Sequence, residues 1–458
     1  MFKNIVKNLQ PLGIVYGDIG TSPIYTLSIT GMILKQKDPN LIMGSVSLVF
    51  WLLVLIVYVQ YIFTAMNYSI RGEGGQLVLR EYVSSLIKNN IFLKTIVSFL
   101  GLIGFSAVVS EGIITPAISI LSAVEGVKLI SPLTNNIVIT ISLTIIVTII
   151  LFSLQKRGTD KISFLFFPIM LIWFIFLFII GLIYIFKEPK ILAAINPIYI
   201  IDLLKQDPRD FLLIISFTML SITGVEAMYA DMGHLGKKPI VISWNLVFIS
   251  LIINYLGQGA FFILNHSKIT EYNSFIFYMV KDLFPNLYIF SIILALLATV
   301  IASQAMISAM FSIFYQTSNL NILPRIKYIH TSSELKHQIY IPFINWILMV
   351  LVILLILIFK SSDSLANAYG LTVNITIITT CIMSIIVSIY HKKTLLSIIL
   401  TILILPTDLI LLISNIHKFE HGAYLPILIS IIILSTILIY TQGNKLLFKN
   451  LNLSLIHI

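Results

Sequence analysis

Charge is scarce in this 458-residue sequence: only 10% of residues are charged, against about 25% in ordinary soluble domains. Cysteine occurs once, at Cys381, which excludes an intramolecular disulfide and a thiolate metal cluster and argues against redox chemistry. Long polar stretches are missing as well, so no large aqueous domain is inserted. There is no His-Glu-x-x-His, no aspartate-rich diphosphate site and no Gly-x-Ser-x-Gly, which argues against an enzyme.

What is present is apolar. Hydrophobic residues make up 58%, mean hydropathy is +1.01, and runs of about 20 apolar residues, enough to cross about 30 Å of hydrocarbon, recur along the chain. Twelve spans are expected, at 12–33, 43–68, 93–124, 135–155, 161–186 and 210–233, then 240–264, 289–316, 341–359, 363–389, 394–413 and 423–441. The fold class is an all-α polytopic membrane protein. No small-residue cleavage site follows the first span, so it is expected to stay in the mature chain.

With a cytoplasmic N-terminus, 18 of the 29 Lys and Arg residues fall on the cytoplasmic side, the direction of positive-inside topology. The expected location is the cell inner membrane, with both termini cytoplasmic. The same bias explains a pI of about 9.4 without nucleic acid, which is not an expected partner. All basic residues fall in loops or at span ends, whereas Asp18, Glu111, Glu226, Asp231 and Asp408 fall inside spans. A carboxylate at a helix centre costs about 2.5–3.5 kcal/mol, so such acids usually mark cation or proton pathways.

Two spans carry helix-breaking chemistry. Residues 13–23 combine Gly13, Gly17, Asp18, Gly20 and Pro23, and an unwound backbone is expected near Asp18. Residues 223–233 place Gly224 beside Glu226 in mid-membrane. In transporters with inverted repeats, broken helices one and six expose carbonyls and flank the substrate. The expectation is therefore a 5+5 repeat (about 12–186 and about 210–389) with discontinuous helices 1 and 6 and two extra C-terminal helices (about 394–441). On the third span Glu111, Thr115 and Ser119 are spaced by four, one helix stripe carrying a carboxylate and two hydroxyls.

Seven collinear motifs then carry a resemblance: GIVYGDIGTSPIYTL (13–27), RGEGG (71–75), EGIITPAISILSAVEG (111–126), GVEAMYADMGHLGKKPI (224–240), ASQAMISAMFSI (302–313), QIYIPFINW (338–346) and LANAYGLTVN (365–374). Together they resemble the Kup (KUP/HAK/KT) potassium permeases of the amino acid-polyamine-organocation superfamily. The resemblance implies a twelve-helix secondary transporter, not an enzyme, that takes up K⁺ together with H⁺ and needs no cofactor. Matched residue by residue, it implies a cation site of Asp18, Tyr25, Glu111, Thr115, Ser119 and Thr223, a proton-coupling acid at Glu226 and a pathway acid at Asp408. Expected partners are the potassium ion, the proton and the lipid bilayer, with a homodimer as the candidate assembly. Relative to the family, residues 442–458 stand as a short cytoplasmic tail where a larger cytoplasmic domain is usual, and Asn374 and Ile375 stand where small residues are usual. RGEGG falls in a cytoplasmic loop, where an intracellular gate or loop-packing role stands against an ordinary turn with a screened ion pair.

A K⁺ site replaces a water shell with carbonyl and hydroxyl oxygens near a negative charge, which these residues and broken helices supply. The nearest alternative is a proton-coupled transporter of amino acids or another small cation on the same fold. Asp18 disfavours the amino acid, because it would repel a substrate carboxylate. A channel is disfavoured by the lack of a TVGYG-like filter loop.

Overall fold

In lipid every backbone polar group needs an internal partner, so apolar runs of this length have to become helices. The computed structural model describes residues 8–34, 38–129, 136–157, 160–206, 208–266, 274–330 and 339–456. The first segment is α1 (Pro11–Ile14), α2 (Gly17–Thr21), a 3₁₀ turn (Ser22–Ile24) and α3 (Thr26–Leu34). Then come α4 (Ile42–Leu52), running on as a π-helix over Leu53–Ile62, α5 (Gln76–Leu86), α6 (Ile91–Glu125), α7 (Ile137–Leu154), α8 (Asp160–Lys187) and α9 (Ile198–Gln206). The middle of the chain forms α10 (Pro208–Thr218), a 3₁₀ turn (Met219–Ile222), α11 (Val225–Ala230), α12 (Met232–Leu235), α13 (Lys237–Asn265), α14 (Phe275–Leu283) and α15 (Tyr288–Asn319). A short pair follows, β1 (Ile329–His330) antiparallel to β2 (Ile339–Tyr340), with Ile329 opposite Tyr340. The last helices are α16 (Pro342–Phe359), α17 (Ser362–Tyr390), α18 (Thr394–Ile399), a π stretch (Leu400–Ile404), α19 (Leu405–Ile416) and α20 (Tyr424–Ile456).

Among the described residues, eleven helices are long and apolar enough to cross a membrane. Twelve were expected, and the difference lies at the N-terminus. The stretch 12–33 is cut by Val15–Tyr16 and by Ser22–Tyr25 into pieces of nine residues or fewer. Asp18 itself sits in one intact helical turn between the two interruptions, rather than in unwound backbone. At the other end α20 continues to Ile456, past the expected limit of 441.

Burial is inverted relative to a soluble protein. Large apolar side chains such as Ile149, Ile175, Leu354 and Ile432 are about half exposed and suit contact with lipid tails, while all five intramembrane acids are 7% exposed or less. Without a hydrophobic driving force between helices, association relies on close packing of small residues. At the crossing of α8 and α13, a Cβ on Gly257 would collide with the Gly181 backbone. The elements that position the site, α2, α6, the turn between α10 and α11, and α17, meet inside this packing.

Candidate cation site and coupling acid

The α10–α11 junction decides the site's geometry. Thr223 is extended (φ −61°, ψ 145°) and Gly224 is left-handed at φ +89°, a conformation only glycine adopts cheaply. A Cβ on Gly224 would lie 2.9 Å from Asp18 Cβ and 3.1 Å from Asp18 Oδ2, so the missing side chain is what lets this junction touch α2. The Gly224 N–H faces the Glu111 carboxyl from the same turn.

Around that contact a set of hydroxyls and carboxyls closes. Tyr369 Oη is 2.7 Å from Thr115 Oγ1 and 3.4 Å from both Asp18 Oδ2 and Glu111 Oε1. Ser22 Oγ lies 3.2 Å from Thr223 Oγ1 and accepts from the Tyr25 hydroxyl at 3.5 Å. Asp18 is 3% exposed, Glu111 1% and Thr115 0%, and Asp18 Oδ1, Glu111 Oε2 and Ser119 Oγ have no hydrogen-bond partner among the described residues. Two acids with an unpaired oxygen each, surrounded by hydroxyls and shielded from water, form an arrangement that a desolvated cation would complete. Asp18, Tyr25, Glu111, Thr115 and Thr223 are thus linked through Tyr369, Ser22 and Gly224. No hydrogen bond ties Ser119 Oγ to the set, though it lies one turn along α6 from Thr115.

Two of the carbonyls exposed by the breaks are already engaged. Trp173 Nε1 donates to Gly20 O at 2.8 Å, and Gln258 Nε2 to Pro23 O at 3.0 Å. Asp18 O accepts from the hydroxyls of Thr21 and Ser22. Carbonyls freed by the breaks are expected beside the side-chain oxygens as cation ligands; these three already have donors, because buried carbonyls recruit them wherever they can.

Glu226 sits apart. Its Oε1 accepts from the Tyr61 hydroxyl, from Gln76 Nε2 at 3.2 Å and from Thr380 Oγ1 at 3.3 Å, while Oε2 has no hydrogen-bond partner among the described residues. A narrow cavity lined by Gly74, Gly75, Gln76, Leu77, Phe105 and Gln316 reaches it, and Leu77 and Gln316 also line a wider cavity with Glu73, Glu81 and Asn319. The RGEGG segment builds the wall. Arg71 (φ 55°) and Gly72 (φ 84°) form a tight turn closed by Ile70 and Glu73, with both central residues at positive φ as in a type I′ turn. Gly74 then packs directly on Tyr229. Asp231 caps α11 beyond this cluster, and Asp408 is buried between α19 and α17 next to Cys381.

The sequence model for the K⁺ potassium transporter integral membrane domain matches residues 5–445. The chain belongs to that family. The probable potassium transport system protein Kup of Methanosarcina barkeri is 43% identical over 99% of this chain and 74% of its own length. That of Geotalea uraniireducens is 44% identical over 98% of this chain and 73% of its own. Among solved structures, a manganese transporter from Eremococcus coleocola aligns over 95% of this chain and 94% of its own at 13% identity, with a TM-score of 0.42. Potassium uptake by a multi-pass secondary transporter is the activity that family membership gives this chain, and no step of it is enzymatic.

Proposed function

We propose that each K⁺ enters together with a proton by alternating access, with the ion held by Asp18, Tyr25, Glu111, Thr115, Ser119 and Thr223, and with Tyr369 joining them. The observation that carries this reading is the convergence of Asp18, Glu111 and Thr115 on the Tyr369 hydroxyl. An ion between the two carboxyls supplies the positive charge that their shared hydroxyl cannot, and Ser119 Oγ offers a further free acceptor. The Asp18 charge also argues against an amino-acid substrate.

Glu226 carries the proton. In this reading the bundle rocks inward only with Glu226 protonated and the ion in place, because carrying an unneutralised carboxylate through the lipid-shielded interior is costly. Two positive charges moving inward gain about 4.6 kcal/mol per 100 mV, enough for accumulation of roughly three orders of magnitude. In this reading helices 1 and 6 are the discontinuous pair of an inverted 5+5 repeat (about 12–186 and 210–389), followed by helices 11 and 12 (about 394–441) and a cytoplasmic tail. Both termini face the cytoplasm, the membrane is the inner one, and the cavity beside Glu73 and Glu81 opens inward. A homodimer belongs to the same proposal, with the mass of the detergent-solubilised particle as its test.

The deciding experiment is Glu226→Gln in liposomes. Wild-type K⁺ uptake should draw protons from outside and make that side alkaline, and the variant should abolish this alkalinisation. Alkalinisation that persists unchanged in Glu226→Gln removes the residue from coupling.

A further inference from the structure

From Glu226 a line of buried polar groups leads away from the cation site into the interface between α17 and α19. Tyr61, whose hydroxyl bonds Glu226, is also within electrostatic range of Asp408. Asp408 is 1% exposed and its carboxyl faces the Cys381 thiol within hydrogen-bonding range, a weak donor and its one side-chain partner among the described residues. Farther along α19, Asn415 uses its Nδ2 on Leu411 O and Met219 Sδ, while its Oδ1, packed on Gly370, is unpaired. Just past the end of α19 comes Lys418, 0% exposed, with Nζ 3.4 Å from the Phe217 ring centroid and no hydrogen bond among the described residues. On the facing helix, Asn374 follows Gly370 by four and precedes Cys381 by seven, so it shares their stripe toward α19. It is 1% exposed, and neither its Oδ1 nor its Nδ2 has a hydrogen-bond partner among the described residues.

Burying four polar side chains with unpaired atoms along one helix interface costs the fold stability that leucines would give it. A membrane protein keeps such a seam where the groups serve something that passes. Amide, carboxyl and amine can each donate and accept as their protonation allows, which suits a proton and not a bare cation that needs many oxygens at once.

We propose that this α17–α19 seam is the route by which the coupled proton reaches Glu226, entering at Lys418 and passing Asn415, Asn374 and Asp408 to Tyr61. K⁺ and H⁺ then travel separate paths that meet only through the movement of α11. The inference rests on the proton-coupled reading and the orientation given above.

The test is Asn374→Leu in the full chain, reconstituted in liposomes, with ⁸⁶Rb⁺ uptake and external pH recorded together. Near neutral external pH both fluxes should fall about tenfold, and acidifying the outside by about two pH units should restore them, because a slow proton feed is relieved by more protons. The KM for Rb⁺ should stay put, and Asn374→Ser, which keeps a polar group, should stay close to wild type. An Asn374→Leu protein that matches wild type at both pH values, or that loses flux equally at both with a raised KM, overturns the seam. If Asn374→Leu does not insert, Asp408→Asn is judged by the same two readouts. A wild type that takes up Rb⁺ without alkalinising the outside overturns proton coupling itself, and the seam with it; a coupled wild type beside an unaffected variant overturns the seam alone.

Discussion

Gly224 and Asp18 are in direct contact because Gly224 has no side chain: a Cβ there would approach Asp18 Cβ to 2.9 Å. Gly224→Ala would also have to hold φ near +89°, which costs an L-residue about 1–2 kcal/mol. The variant should insert normally and lose K⁺ uptake by about a hundredfold, as expected when a site is misplaced by roughly 1 Å. Uptake of ⁸⁶Rb⁺ normalised to membrane protein checks this, and uptake within twofold of wild type contradicts it.

Tyr369→Phe removes one hydroxyl with three oxygen neighbours and leaves the ring packing. A loss of about 1–2 kcal/mol should raise the KM for Rb⁺ roughly 5–30-fold, with a smaller effect on maximal rate. A KM that does not move would show that the hydroxyl is a packing feature.

Asp18→Asn keeps the shape and removes the charge. A bacterium lacking its own K⁺ uptake and carrying this variant should grow at high external K⁺ and fail at low K⁺. Growth at low K⁺ indistinguishable from wild type would detach Asp18 from the ion.

The apolar core was legible because roughly 20 apolar residues in a row have one solution in lipid, and the spans from 43 onward lie within a few residues of the helices apart from the last. The first span was not, because its Gly and Pro residues cut it twice while leaving a helical turn at Asp18. Asp18, Glu111, Thr115 and Thr223 were readable as acids and hydroxyls placed where lipid should forbid them. Tyr369 was missed: a tyrosine in an apolar helix reads as packing, and only its position within LANAYGLTVN hinted at more. The donors that engage the freed carbonyls, Trp173 and Gln258, lie 153 and 235 residues from their partners, a pairing no local pattern reveals. Lys418 read as a loop charge, since nothing in its neighbours' identities foretells complete burial.

Lys418→Met offers a stability measurement. Replacing a buried amine that rests on the Phe217 ring without a hydrogen bond among the described residues by an apolar chain of similar size removes the cost of desolvating it. The thermal midpoint in detergent should therefore hold or rise by a few degrees. A clear fall would show that the contact of the amine with the Phe217 ring outweighs its desolvation.

The π-helical stretch Leu53–Ile62 touches its counterpart at Leu400–Ile404, and it carries Gln60 and Tyr61 near its end. Each wide turn holds one residue more than α geometry would, so rewinding a single turn swivels everything beyond it by about 100°. The wide turns therefore set the direction in which Gln60 and Tyr61 leave the helix, and with it the bond from the Tyr61 hydroxyl to Glu226.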